Sequence, residues 1–141
     1  MLTVEGRFGY SRPAIVKATV KIPFRPEVPG KQVDGMLDTG ASVCVISPTV
    51  LNQLPLPHAG LHQFHTIGNL AEVDCYTLGV SLEDNQGSRA VVEPVKATCQ
   101  TLPGNYDLII GRIILGLGTL TTESGRFTFQ IEAGQHIPTH E

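Results

Sequence analysis

The sequence is short of charge. Only 16% of its 141 residues are Asp, Glu, Lys or Arg, and the formal net charge is −3. Long amphipathic helices laced by ion pairs are therefore excluded. No cluster of Lys or Arg occurs anywhere, so the electrostatic footprint of a nucleic-acid binder is missing and nucleic acid is not an expected partner. No apolar run approaches the roughly 20 residues that span a bilayer, and Met1 to Glu5 do not open a basic segment followed by an apolar one. We therefore expect a soluble chain with no membrane partner. Cysteine is scarce too: Cys44, Cys75 and Cys99 are odd in number and widely spaced. That excludes a disulfide framework and fits buried free thiols in a reducing compartment such as the cytoplasm.

What is present points to strands and turns. Apolar residues make up 41% of the chain, punctuated by 15 glycines and 10 prolines, and the length suits one core. We expect one domain over residues 1–132 and a loose tail over 133–141. Runs rich in β-branched residues predict strands over residues 14–22, 32–37 and 43–46, with a turn region from Pro23 to Pro29. Ser47 to Gly60 carries three prolines and reads as a helix-like turn followed by an irregular connection. A hairpin is expected over residues 61–82, turning on Gly68-Asn69. Asp84 to Gly87 is a further turn, and the next strand, over residues 90–97, is expected to break at Pro94. The most apolar stretch, Tyr106 to Leu115, predicts a buried strand leading into a short helix that Gly116 and Gly118 end. Residues 126–131 alternate as a half-buried last strand.

Within this pattern, Asp38-Thr39-Gly40-Ala41 connects two apolar strands, where an isolated carboxylate is costly without a partner or a purpose. The plain reading is an Asp turn whose carboxylate caps its own backbone. A second element, Ile109-Ile110-Gly111-Arg112, changes the balance, because two apolar residues and a glycine can pack a loop tightly beneath the first.

In this order and at this separation, the two elements resemble the retroviral-type aspartic peptidases, the retropepsin family. Leu37 to Ala41 is similar to the family's catalytic loop, Ile109 to Arg112 to its second signature, and the hairpin around Gly68 stands where the family carries its flap. The resemblance implies an all-β fold, a closed barrel with a flap hairpin and one short C-terminal helix, active as a C2 homodimer. Each subunit supplies Asp38, and the pair activates a water that hydrolyses an internal bond of an extended polypeptide. No metal or other cofactor enters that mechanism. Thr39, Gly40 and Ala41 support the catalytic loop in this reading, while Ser42, Ile67, Gly68 and Asn69 contact substrate from floor and flap.

The remaining aspartates, Asp34, Asp74, Asp84 and Asp107, lie in no second copy of the motif. Two carboxylates therefore require Asp38 twice. The alternative is a catalytically silent module that kept the fold for dimerisation or peptide binding, and the intact Asp38 argues against it. Two positions depart from the family pattern: Ser42 stands where an Asp commonly pairs with the Arg of the second signature, and Ile113 where Asn or Asp commonly follows that Arg.

Other constellations carry less. His58, His62 and His65 have helical spacing, but the surrounding Pro55, Pro57 and Gly60 oppose a helix and suggest exposed loop histidines. Cys44 has no nearby His in sequence and reads as core filler.

Overall fold

A computed structural model describes residues 1–137. Eleven strands and two short helices follow in the order β1 (Leu2–Arg7), β2 (Ile15–Lys21), β3 (Lys31–Leu37), β4 (Cys44–Ile46), α1 (Pro48–Gln53), β5 (His58–Thr66), β6 (Asn69–Glu83), β7 (Arg89–Cys99), β8 (Leu108–Ile110), α2 (Arg112–Leu115), β9 (Thr119–Glu123), β10 (Arg126–Ile131) and β11 (Gly134–Ile137). The alternation read from sequence sets the faces. In β2 the side chains of Val16, Ala18 and Val20 are buried while Lys17 points to solvent, as the two-residue period of a half-buried strand requires.

The strands build two sheets. The larger runs β11-β7-β4-β8-β3-β2-β6-β5, and an extra pairing of β6 with β7 joins its interior into a closed ring of β7, β4, β8, β3, β2 and β6. Closure removes sheet edges from that ring. The smaller sheet, β1-β10-β9, shares the barrel's core: Leu2, Phe127, Phe129 and Ile131 pack in one cluster with Val20, Leu78, Val92, Leu108 and Ile110. Each such fully buried side chain contributes roughly 1.5–3 kcal/mol relative to exposure.

Several expectations need correction. The strand over residues 90–97 does not break at Pro94. β7 is continuous, and Glu93 and Pro94 together oppose Gly79, between the pairs Leu78↔Val95 and Val80↔Val92. This bulge lets a residue without an N–H sit inside the sheet. The hairpin loop is Ile67-Gly68, not Gly68-Asn69: Thr66 pairs with Asn69, and Gly68 takes the positive φ of 78°. His58 and His62 lie on β5, not on a loop, and β5 begins at His58 because its backbone pairs with β6 despite the irregular register around Gly60. His65 also belongs to β5. Residues 134–137 of the expected loose tail form β11, whose backbone pairs parallel with Ala90 and Val92 of β7, while residues 138–141 lie outside the described residues. β1 carries no strong sequence signal of its own, and its strand is held by pairing with β10.

Among the described residues, no helix is long and apolar enough to cross a membrane. Cys44, Cys75 and Cys99 form no disulfide among the described residues.

Candidate active site

The loop of residues 38–43 leaves β3 and enters β4, and β8 lies between those two strands. Met36 and Leu37 pair in parallel with Ile109 and Ile110, while Val45 and Ile46 pair antiparallel with Ile109 and Leu108. The loop therefore arches over the end of β8. Its backbone is tied down on both flanks of the crest. Asp38 N–H donates to the Ile110 carbonyl (3.0 Å), Ala41 N–H to the Asp38 carbonyl (3.2 Å), Arg112 N–H to the Ala41 carbonyl (2.8 Å) and Ile113 N–H to the Ser42 carbonyl (3.0 Å). Leu37 N–H donates to the Ala14 carbonyl at 2.9 Å, so the segment before β2 buttresses the same loop.

Gly111 is the tightest point. A Cβ on it would stand 2.3 Å from the Val43 carbonyl oxygen and 2.8 Å from that of Ala41. Only a residue without a side chain lets β8 pass into α2 this close beneath the loop. Its φ is −92°, so space and not backbone conformation demands glycine. Gly35, which sequence reasoning did not single out, does similar service in β3, where a Cβ would lie 3.0 Å from Ile110 Cδ1.

The Asp38 carboxylate is half-buried, less enclosed than its two apolar strands suggested, and Gly40 N–H donates to its Oδ1 at 2.8 Å. The turn-capping geometry of the plain reading is thus present. It fixes one oxygen, while Oδ2 takes no bond among the described residues. Thr39, Gly40 and Ser42 are exposed, and Ala41 is half-buried. The structure brings Asp38 to Ser42 together with Ile109 to Arg112. It carries Ile67, Gly68 and Asn69 on a separate element, the tip of the β5–β6 hairpin, where Ile67 is fully exposed. Arg112 is exposed and, among the described residues, makes no salt bridge, consistent with the uncharged Ser42 at the position beside it.

A polar brace missed by sequence reasoning supports the frame. Ser47 precedes α1, yet its hydroxyl does not cap that helix: it donates to Asp107 Oδ1 at 2.8 Å, and Ser47 N–H donates to the Asp107 carbonyl at 3.0 Å. Asp107 N–H in turn donates to the Asp34 carbonyl at 3.2 Å, linking the starts of α1 and β8 to β3. Nothing in the spacing of Ser47, Asp107 and Asp34 marks this link.

Cys44 lies in β4 and is fully buried, and burial pushes its thiol up to about 12 against a smaller lowering by the Gly111 backbone hydrogen bond. A thiol so disinclined to ionise is core filling and not a nucleophile. His58 Nε2 sits 2.9 Å from Asp74 Oδ1, with its ring edge-on to Tyr76 at 5.3 Å between centroids. Among the described residues, no three His, Cys, Asp or Glu side chains gather as metal ligands. A broad cleft of about 720 Å³ lies elsewhere, lined by residues including Lys17, Lys31, Asp34, Glu83, Arg89 and Asp107. Its charges largely answer one another, through Lys17–Asp34 at 2.6 Å and Arg89–Glu83 at 3.7 Å, so it offers less unspent chemistry than the Asp38 loop.

Comparisons with known proteins bear on the family and the fold. The family profile described as aspartyl protease matches residues 24–114. A retropepsin-like aspartic protease from Rickettsia conorii has a similar structure, with TM-score 0.64 and 15% identity over 94% of this chain and 93% of that one. The EIAV protease in complex with the inhibitor HBY-793 aligns at TM-score 0.45 and 18% identity over 79% of this chain and 92% of that one. A search of curated proteins returns no match. At 15% identity the Rickettsia likeness speaks for the fold, and the closed barrel is the retropepsin-like one that the sequence resemblance implied.

Proposed function

The chain belongs to the aspartyl protease family, and from that premise we propose that it is an endopeptidase in which two copies each contribute Asp38. The observation that carries this reading is the single carboxylate held at the crest of a loop whose backbone is bonded to β8 and α2 on both flanks. With one such loop per chain, the second carboxylate comes from a second copy related by a two-fold axis.

Two carboxylates about 3 Å apart cannot both ionise, so the pair shares one proton. The ionised member takes a proton from water as that water attacks the scissile carbonyl carbon. The protonated member hydrogen-bonds the carbonyl oxygen, and the proton gained then passes to the leaving amine as the C–N bond breaks. The Gly40 N–H on Oδ1 orients the carboxylate within each loop. Exposed Thr39 is positioned for contact with the neighbouring loop, and Gly40 leaves the floor open for a substrate backbone. Ser42 lines the floor, while Ile67, Gly68 and Asn69 close over an extended polypeptide whose main chain adds to the flap as a strand. Residues 1–132 supply the peptidase unit, with β11 packed at its side.

Asp38→Asn tests the proposal in a peptide-library cleavage assay from acidic to neutral pH. The wild type cleaves internal bonds, and the variant loses cleavage by several orders of magnitude while keeping its fold and self-association. A wild type that binds peptides yet cuts none at any pH refutes the peptidase reading and leaves a silent binding module.

A further inference from the structure

We propose that His58 is a positioning residue for the β5–β6 hairpin: its neutral imidazole holds the bend at Gly60, and a proton on Nδ1 releases that bend and slackens the arm that closes over substrate. The proposal rests on the reading of this hairpin as the flap and adds a proton-controlled hinge to it.

The strand pairings place a fulcrum at the foot of the arm. β6 pairs with β7 from Cys75 to Glu83 and with β2 from Gly79 to Leu82, whereas Asn69 to Asp74 have β5 as their strand partner. On β5, His58 pairs with Tyr76 and Leu61 with Asp74, so Ala59 and Gly60 stand opposite the single residue Cys75. Such a bulge bends its strand. It falls where the ring ends and the two-stranded arm begins. Below it the root of the arm is tied, since Thr77 N–H donates to the Pro57 carbonyl at 2.9 Å. Gly60 takes φ 94°, and a Cβ there would meet nothing within 4 Å, so conformation and not space demands glycine.

The imidazole bridges the two sides of this bend. Nδ1 accepts the Gly60 N–H at 3.3 Å, and Nε2 lies 2.9 Å from Asp74 Oδ1. A ring nitrogen that accepts carries no proton, so the neutral ring bears its proton on Nε2, the atom that donates to Asp74. One tautomer satisfies both bonds. A second proton enters at Nδ1, where it meets the Gly60 N–H donor to donor. That bond is lost, while the bond from Nε2–H to Asp74 persists with charge assistance. Protonation leaves the ring on β6 and lets go of the β5 bend.

Few other groups answer the same change of pH. β5 is the last strand of its sheet, and the groups facing the ring are Asp74 and Tyr76 on β6, with Cys99 on β7 near enough to feel the Asp74 charge. Glu72, one rung further out on β6, accepts from Gln63 at 2.9 Å, and His62, paired with Val73, alternates to the other side of the hairpin. Burial first and the Asp74 charge second push up both the Tyr76 hydroxyl and the Cys99 thiol, so neither ionises between acidic and neutral pH. His58 and Asp74 remain as the pair whose charge changes at the fulcrum.

A slack arm costs more to order around an extended peptide. Protonation of His58 should therefore raise KM about two- to tenfold, the worth of one hydrogen bond expressed as affinity.

Two conservative variants separate the bonds. His58→Asn keeps an oxygen for the Gly60 N–H, in the local turn that Asn forms with the residue two ahead, and does not titrate. His58→Gln keeps a donor that reaches Asp74 and loses the Gly60 acceptor. KM for a cleaved peptide is measured against pH in the three proteins, beside NMR titrations of the His58 ring and of backbone amides in the full chain. The ratio of wild-type KM to that of His58→Asn cancels the titration of Asp38, and it should climb on the acid side with the midpoint of the His58 ring. His58→Gln should show the raised KM at every pH. In wild type the amide signals of Gly60 and of Gly68 at the tip should move with that midpoint, and in His58→Asn they should not. A flat ratio across the ring's titration, a His58→Gln KM equal to that of neutral wild type, or a Gly68 amide that ignores the ring overturns the proposal. If wild type cleaves no peptide while both amides follow the ring, the hinge stands and the peptidase reading falls. If peptide is cleaved and the ratio is flat, the peptidase reading stands and the hinge falls.

Discussion

Gly111→Ala concentrates the structural argument in one methyl group. The added carbon meets two backbone carbonyl oxygens, at 2.3 Å and 2.8 Å, where no flexible side chain can swing aside. Either the Ala41–Val43 arch rises or β8 sinks, by close to an ångström. Overpacking of a rigid site costs about 1–3 kcal/mol, and the two backbone contacts put this substitution at the upper end. The reduced freedom of the unfolded chain returns about 0.4–1 kcal/mol, leaving a net loss of about 2–3 kcal/mol. For a chain of this length that is a fall of roughly 6–12 °C in melting temperature. Peptide cleavage should suffer more than stability, since an ångström's misplacement of a reacting group costs about a hundredfold. Differential scanning calorimetry and a cleavage assay on the same preparation measure both. Gly9→Ala is the control: a Cβ there meets nothing within 4 Å, and its melting point should stay near that of the wild type. If Gly111→Ala melts within 2 °C of wild type and still cleaves at full rate, the account of the second signature as a steric seat for the loop is wrong.

Other substitutions probe separate parts of the frame. Ser47→Ala deprives the Asp107 carboxylate of its 2.8 Å donor and should destabilise by about 1.5–3 kcal/mol in urea unfolding; an unchanged midpoint would show the brace to be ornamental. The buried Cys44 thiol, raised from 9.0 to about 12, makes the native state hold its proton where the unfolded chain releases it. Its contribution is complete below pH 9 and is lost as pH rises toward 12, at up to about 1.4 kcal/mol per unit. Cys44→Ala should therefore flatten the fall in melting temperature above pH 9, and parallel curves for the two proteins count against this. Ile67→Asp, at a fully exposed hairpin tip, should leave thermal stability within about 0.5 kcal/mol but raise KM for peptide substrates; an unaltered KM removes Ile67 from the flap role.

The residues that announced the site are those whose chemistry is local. Asp38, Thr39 and Gly40 declare a turn that holds a carboxylate, and Ile109 to Gly111 declare an apolar strand ended by a residue without a side chain. Their spatial relation, with β8 seated between β3 and β4, depends on pairings far apart in sequence that no local pattern encodes. The same holds for the Ser47–Asp107 link and for the Ala14 carbonyl under Leu37, where the active group is backbone or a common side chain. Pro94 misled because proline reads as a strand breaker, yet the bulge opposite Gly79 absorbs its missing donor. β11 was illegible for the opposite reason: a short, polar segment becomes a strand only because the edge of β7 accepts it. Alternation in residues 126–131 revealed a strand and its buried face, but not that this strand is the centre of a sheet.

The pairing of Leu2 in β1 with Ile131 in β10 also bears on how the molecule comes into being. During synthesis, β1 finds its partner only after nearly all of the rest of the described fold has been made. Until then its apolar side chains, Leu2 and Val4, have no sheet to join. Contacts so distant in sequence slow folding, because the loop must be closed before the pairing rewards it. The small sheet thus consolidates late in synthesis, after the ring of strands that carries Asp38 has been made.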